Sequence, residues 1–317
     1  MQKRILGKSG IEVAALGLGC MRLSSKGWFS ADGKEIDFGP VDDTESIRII
    51  NVAIDIGVNV FDTAVVYGAG HNEELLGRAI AGNRDKVVIV SKAGWYIDEE
   101  ERRMTGRNIS DNPRDVKTLC EGSLRRLNTD HIDVYLLHTS YSNDKYDLEK
   151  AAEIRDYMEE LVEEGKIRWY GWSTDWPHQL RVFMEGKHCT CTEQDFNIFA
   201  GNEATLKLCE DNNLASLCRS PLAGGVLVPK PNRVGKADRG GGEENIGKFE
   251  AIRDILTSGG RTVVQGALCW LWAKSPCTIP IPGFRTEEQV RENIGALGFG
   301  PLTPEQMQEI EKTKEGT

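Results

Sequence analysis

The stretch FDTAVVYG, residues 61–68, decides how the chain is read. With Val58 and Val60 before it, it opens as the apolar run of a buried strand. The run ends on Asp62, a carboxylate that a buried strand does not carry without a partner. Five residues on comes Tyr67, a weak acid, followed by Gly68, which permits close backbone approach. Alone, the stretch also fits an aspartate that caps the next helix and a tyrosine that packs a loop. Two later stretches repeat the pattern. VIVSKAG puts Lys92 at the end of a second apolar run, and VYLLHTS puts His138 at the end of a third.

Outward from these runs, strand and helix alternate. Residues 4–6 and 11–13 flank Gly7-Lys8-Ser9-Gly10 and read as a small β-hairpin. AALGLGC, residues 14–20, is a first buried strand, and a polar stretch with Gly27, Gly33, Gly39 and Pro40 follows it. Asp43 or Thr44 can cap a helix whose apolar face is Ile47, Ile50 and Ile54. Further strands are expected over 60–63, 87–91, 132–137, 167–173, 192–196, 214–219 and 277–281. Helices are expected near 73–80, 113–127, 148–164, 176–185, 203–212, 246–256, 263–273 and 287–296. The strands are short apolar runs rather than alternations, as parallel strands buried on both faces require. Eight strand-then-helix units predict an α/β chain folded as a (β/α)8 barrel, a single domain over 1–317 with an N-terminal β-hairpin. A doubly wound sheet needs a glycine-rich turn that opens a helix after its first strand. GLGCMR has Gly17 and Gly19, but no helical pattern opens there.

Composition narrows the function classes. The 317 residues are 39% hydrophobic and 28% charged, with a net charge of -10. That charge argues against a nucleic-acid partner, whose phosphates attract basic surfaces. MQKRILGKSG has no apolar core of signal-peptide length, and no run approaches a membrane span. The expectation is a cytoplasmic protein without a membrane partner. Of the eight cysteines, Cys20, Cys120, Cys209, Cys218, Cys269 and Cys277 sit in apolar runs and read as buried free thiols. Cys189-Thr190-Cys191 adjoins His188, but no second pair completes a zinc set nearby, so no metal is expected.

In a (β/α)8 barrel the strand C-termini share one face, where active sites sit. Asp62, Lys92, His138, Ser173, Gln194 and Arg219 would converge there. Tyrosine has an unperturbed pKa of about 10; an adjacent ammonium favours its phenolate and makes the hydroxyl a readier proton donor. Asp62 would hold Lys92 charged and in place, and a neutral His138 could hydrogen-bond a substrate oxygen. A proton donor without a nucleophilic Ser or Cys and without a metal set suits carbonyl reduction, and hydride must then come from a cofactor. The ending TIPIPGFRTEEQVRENIGAL places Gly283 after the last strand, then Arg285, Gln289 and Asn293 at helical spacing. Arg285 before a helix N-terminus can clamp a phosphate.

FDTAVVYG, SKAG, YLLH, SPLAGGVL and IPGFR, in this order, resemble the aldo-keto reductase superfamily. The resemblance runs from KRILGKSGIEVAALGLG to IPGFRTEEQVRENI and is nearest to the bacterial-type branch whose C-terminal signature begins Ile-Pro-Gly. It implies Tyr67 as general acid, assisted by Lys92 and Asp62, with His138 orienting the carbonyl of a small-molecule substrate. It implies NADPH, with Ser173 and Gln194 on the nicotinamide carboxamide and Ser220, Leu222 and Gly224 over the pyrophosphate. Gly283, Arg285, Gln289 and Asn293 would take the 2′-phosphate and adenine, and Gly19, Cys20, Met21 and Asp62 join the cofactor side. The sequence departs from the family at Thr174, where the family usually has Asn, and at Arg219, where it usually has an aromatic residue on the nicotinamide. Arg219 could lie against the ring and penalise its oxidised, cationic form, or pair with an anionic substrate.

Specificity in this fold lies in loops, here residues 23–42, 95–112, 140–147 and 226–245. Trp28, Trp95, Tyr141 and Trp176 are candidates to wall the substrate pocket. Two other readings stay open: an NADPH-binding sensor or partner subunit with little turnover, and a hydrolase with Asp62 and His138 as metal ligands. No residue pattern points to a particular oligomeric state.

Overall fold

The apolar runs become neighbouring strands of one parallel sheet, and the amphipathic stretches between them become helices on its outside. The computed structural model describes residues 2–24, 26–29, 35–37, 39–139, 144–227 and 243–315. Its sheet is built from β1 (Leu18–Gly19), β2 (Val60–Asp62), β3 (Val88–Ala93), β4 (Ile132–His138), β5 (Ile167–Ser173), β6 (Cys189–Asn197), β7 (Ala215–Arg219) and β8 (Thr278–Pro280). Each strand pairs parallel with the next in chain order. The ring closes where the Gly17 N–H donates to the Pro280 carbonyl at 2.9 Å and the Gly19 N–H to that of Pro282 at 3.1 Å. The N-terminal hairpin, Lys3–Ile5 against Glu12–Ala14, is present as expected. The fold is therefore the expected α/β barrel.

Strand alternation sorts the core into two layers. Val60, Val90, Val134, Leu136, Cys191, Leu217 and Ile279 point inward, where Leu6 and Val13 of the hairpin region join them. Their chain neighbours Phe61, Ile89, Tyr135, Leu137 and Cys218 point out against the helices. With a period of two, the inward set continues at the strand ends as Asp62, Lys92, His138, Glu193 and Arg219. Burying one aliphatic side chain contributes about 1.5–3 kcal/mol. An unpaired buried charge costs more than that, so the charged ends need counter-ions.

Outside lie α1 (Asp43–Ile56), α2 (His71–Ile80), α3 (Val116–Leu127), α4 (Leu148–Glu163), α5 (Pro177–Met184), α6 (Glu203–Asp211), α7 (Glu243–Thr257), α8 (Val263–Lys274) and α9 (Glu287–Gly295). The structure corrects several local expectations. Asp42, rather than Asp43 or Thr44, caps α1: its Oδ1 accepts from the N–H groups of Thr44 and Glu45 at 2.8 and 3.2 Å. The first barrel strand is only Leu18–Gly19. Residues 95–112 are no plain loop, since Trp95–Asp98 and Arg103–Asn108 pair as an antiparallel hairpin. A last helix, α10 (Pro304–Glu315), buries Ile310 in the outer core. Parts of the expected loops 23–42, 140–147 and 226–245 lie outside the described residues. Among the described residues, no helix is long and apolar enough to cross a membrane.

Candidate active site

Asp62 ends β2 and points into the barrel. The chain then turns through Ala64–Tyr67, packed against Met21, Trp95, Ile97 and Met104. The turn is held by the Tyr67 N–H on the Ala64 carbonyl at 3.1 Å and the Gly70 N–H on that of Val65 at 2.8 Å. Gly68 and Gly70 take φ of +60° and +90°, a left-handed backbone that favours glycine. Tyr67 is thus fixed over the strand ends, its ring edge-on to His138 with centroids 6.4 Å apart. Gly94, two residues past Lys92, has a steric reason: a Cβ there would lie 1.8 Å from the His138 carbonyl oxygen.

Lys92 is fully buried and surrounded by oxygen. Its Nζ pairs with Asp62 Oδ1, lies 3.2 Å from Glu193 Oε2, donates to the Thr63 carbonyl at 2.9 Å and reaches the Tyr67 hydroxyl at 3.5 Å. Burial works against the ammonium, but Asp62 and Glu193 more than offset it and hold Lys92 well above the lysine range. Burial, and then the Glu193 charge, push the Asp62 carboxyl well above the carboxylate range despite Lys92. Burial, Lys92 and Arg219 together push His138 well below the histidine range, so its imidazole is neutral at ordinary pH.

Glu193 was missed in the sequence, and Gln194 was expected in its stead. In β6 the two residues point opposite ways. Glu193 sits beside inward Leu217, whereas Gln194 pairs with outward Cys218, donates to Ser216 Oγ at 2.9 Å and does not line the cavity. The assignment of Gln194 to the carboxamide is therefore corrected by strand alternation: Glu193 is the β6 residue that faces the cavity.

That cavity, about 520 Å3, opens over the strand ends. Of the expected residues it brings together Gly19, Met21, Asp62, Tyr67, Arg219, Ser220, Leu222, Gly224, Gly283, Arg285, Gln289 and Asn293. Four of the expected cofactor residues do not line it. Cys20 packs in the outer core, and Gln194 points outward. Ser173 is buried, its Oγ donating to Glu193 Oε1 at 3.4 Å. Thr174 Oγ1 bonds Gln179 and accepts the Trp176 N–H, a loop-fixing role. His138 and Trp95 meet instead in an adjoining pocket of about 60 Å3 with Tyr146. Trp176 lines neither space. The Trp28 side chain and Tyr141 lie outside the described residues.

Arg219 lines the cavity and is also held by neighbours of its own. Its Nη2 forks onto Asp175 at 2.8 and 2.9 Å, its Nη1 donates to the Glu193 carbonyl at 2.8 Å, and Asp195 Oδ2 is 3.8 Å from its Nε. Two carboxylates therefore stand beside the charge that was expected to act on the cofactor ring or on an anionic substrate.

The far end of the cavity has the features of an anionic-ligand site. Ser220, Ala223, Gly224 and Gly225 all take positive φ, from +49° to +106°, in a loop that turns over the cavity. Arg285 is half-buried at its mouth, just before α9, and donates to the Pro40 carbonyl at 2.7 Å. Thr286 caps α9 by accepting the Gln289 N–H at 3.3 Å. Asn293 Nδ2 is buried at the cavity wall without a hydrogen-bond partner, a donor left for a ligand to satisfy.

Comparison with known proteins points to one family. A sequence profile described as the Aldo/keto reductase family matches residues 15–315. The Uncharacterized oxidoreductase YqkF of Bacillus subtilis (strain 168) is 29% identical over 328 aligned positions, which cover 98% of this chain and 96% of that one. The holo form of aldo-keto reductase AKR11C1 from Bacillus halodurans superposes with a TM-score of 0.79 at 28% identity, covering 99% of this chain and 96% of the other. An aldo/keto reductase from Klebsiella pneumoniae, solved in complex with NADP and acetate, superposes with a TM-score of 0.72 at 26% identity, covering 98% and 95%.

Proposed function

The chain belongs to the aldo/keto reductase family, and on that premise we propose that it is an NADPH-dependent oxidoreductase that reduces an aldehyde or ketone to an alcohol. One observation carries the reading: the Tyr67 hydroxyl stands at the cavity wall, 3.5 Å from the ammonium of a fully buried lysine. NADP is bound by the Klebsiella relative, and the fit of the far end of this cavity supports the same cofactor here. Arg285 and the α9 N-terminus would take the 2′-phosphate, the turn from Ser220 to Gly225 the pyrophosphate, and Asn293 the adenine. When bound, NADPH supplies the hydride.

The chain's own residues handle the proton. Tyr67 donates its hydroxyl proton to the carbonyl oxygen as that oxygen gains charge. Lys92 stabilises the phenolate left behind, and Asp62 and Thr63 hold Lys92 in reach of it. His138, neutral and beside Tyr67, can donate a second hydrogen bond to the same oxygen. Burial strengthens each of these contacts by keeping water out.

The test is NADPH consumption against a panel of aldehydes, ketones, sugars and keto acids, with the alcohol counted alongside. Alcohol formed mole for mole with NADPH oxidised supports the reading. Tight NADPH binding with no turnover on any member would favour the sensor or partner-subunit alternative.

A further inference from the structure

Glu193 is a buried charge of this site that the proton-donor scheme leaves idle. It lines the same cavity as Tyr67 and Asp62, and it shares Lys92 with Asp62. Beyond that ion pair its Oε2 accepts no hydrogen bond. The cluster therefore sets two carboxyls on one ammonium with almost no exposure to solvent. Two carboxylates and one ammonium would leave a net negative charge in a dry site, and such a charge is costly unless a proton neutralises it.

We propose that Asp62 and Glu193 together hold one proton over Lys92, and that this proton is released when the oxidised cofactor binds. The inference rests on the cofactor reading above. Hydride and proton go to the adjacent carbon and oxygen of one carbonyl, so the reacting nicotinamide must stand beside Tyr67 and hence near the pair. The oxidised ring is cationic and the reduced ring is neutral. A cation there lowers the proton affinity of both carboxyls, and the released proton passes to solvent with no other bond made or broken. The raised Asp62 carboxyl agrees with a proton held there.

The other charged or titratable groups around the pair do not supply this proton. His138 on β4 is held neutral. Cys20 after β1 and Cys191 on β6 are held as thiols by burial. Arg219 on β7 is fixed by Asp175 and Asp195. Lys92 on β3 stays charged. Tyr67, in the turn after β2, is the group that must be separated by experiment.

Linkage sets the sign. If binding of NADP⁺ expels a proton, its affinity rises with pH, by at most ~10-fold per pH unit for one proton. The affinity for NADPH lacks this term. Both forms carry the same 2′-phosphate, whose own titration near pH ~6 cancels in their ratio. The experiment is a fluorescence titration of the protein with NADP⁺ and with NADPH, without substrate, from about pH 6 to about pH 9. The Kd ratio of NADP⁺ to NADPH should fall as pH rises in the wild type and in Tyr67→Phe, and should be flat in Glu193→Gln. A flat ratio in the wild type, or a slope that survives Glu193→Gln or vanishes in Tyr67→Phe, overturns the inference. If neither form binds at any pH, the cofactor reading itself fails, and the pair loses its role with it. Should Glu193→Gln not fold, proton release by Tyr67→Phe in weakly buffered solution decides. A larger release with NADP⁺ than with NADPH supports the pair, and equal release overturns it.

Discussion

Two clusters on the same cavity have the same make-up, one cation between two carboxylates, and do different work. Around Lys92 everything is dry: the side chains of Lys92, Asp62 and Glu193 are 0%, 5% and 1% exposed. Around Arg219 the carboxylates reach the edge, with Asp175 23% and Asp195 14% exposed. The cations differ as well. A guanidinium is a planar fork whose charge is permanent, and here it is committed to Asp175 and to the Glu193 carbonyl. An ammonium is a compact point that several oxygens can share, and one of the oxygens around Lys92 belongs to Tyr67. The comparison teaches that a charge count does not assign a role. The fixed, half-wet cluster braces β6 and β7, whereas the dry one is the cluster proposed to handle protons.

Replacing each cation tests that contrast most severely. Lys92→Met should leave the buried Asp62–Glu193 carboxyl pair without its counter-ion and cost about 3–5 kcal/mol of stability, measured by urea unfolding at neutral pH. The deficit should shrink in acid. Asp62 already binds its proton more tightly than an ordinary carboxyl, so protonation removes the remaining buried negative charge as pH falls. A Lys92→Met protein as stable as wild type at neutral pH would break the contrast.

The next effect is at the cavity mouth, where Arg285 donates to the Pro40 carbonyl. Arg285→Ala should weaken NADPH binding by about 1.5–3 kcal/mol, or roughly 10- to 150-fold, and barely change NADH. Equal losses for the two cofactors in paired titrations would remove Arg285 from the 2′-phosphate.

Arg219→Trp should give the smallest effect. A bare guanidinium ~4 Å from a cationic ring at an effective dielectric of ~20 would oppose it by about 4 kcal/mol, but Asp175 and Asp195 balance that charge. The Kd ratio of NADP⁺ to NADPH should therefore move by less than ~10-fold. A larger gain in NADP⁺ binding on losing Arg219 would mean that the clamp does not screen it.

The same contrast shows what the sequence makes legible. Runs such as VIVSK and VYLLH are apolar up to a single polar end, so their register and the inward aim of Lys92 and His138 can be read directly. β6 cannot be read so: Thr192, Glu193, Gln194 and Asp195 are consecutive polar residues, and no apolar alternation tells which of them face inward. The one-residue slip from Glu193 to Gln194 follows from that, and in a strand one residue is the opposite face. The clamp on Arg219 was hidden because Asp175 comes from a loop 44 positions away. The hairpin at Trp95–Asp98 and Arg103–Asn108 is largely polar, and α10 offers little apolar periodicity beyond Met307 and Ile310. The cap of α1 falls in Asp42-Asp43-Thr44, where any of the three can serve, and only the backbone decides.

The central claim is that Tyr67 gives the proton, and Tyr67→Phe tests it most directly. The substitution removes one hydroxyl, leaving the ring packing and the far end of the cavity in place. Steady-state reduction of the best carbonyl substrate should fall at least ~100-fold, with NADPH affinity and unfolding midpoint close to wild type. Retention of most of the turnover by Tyr67→Phe would contradict the account.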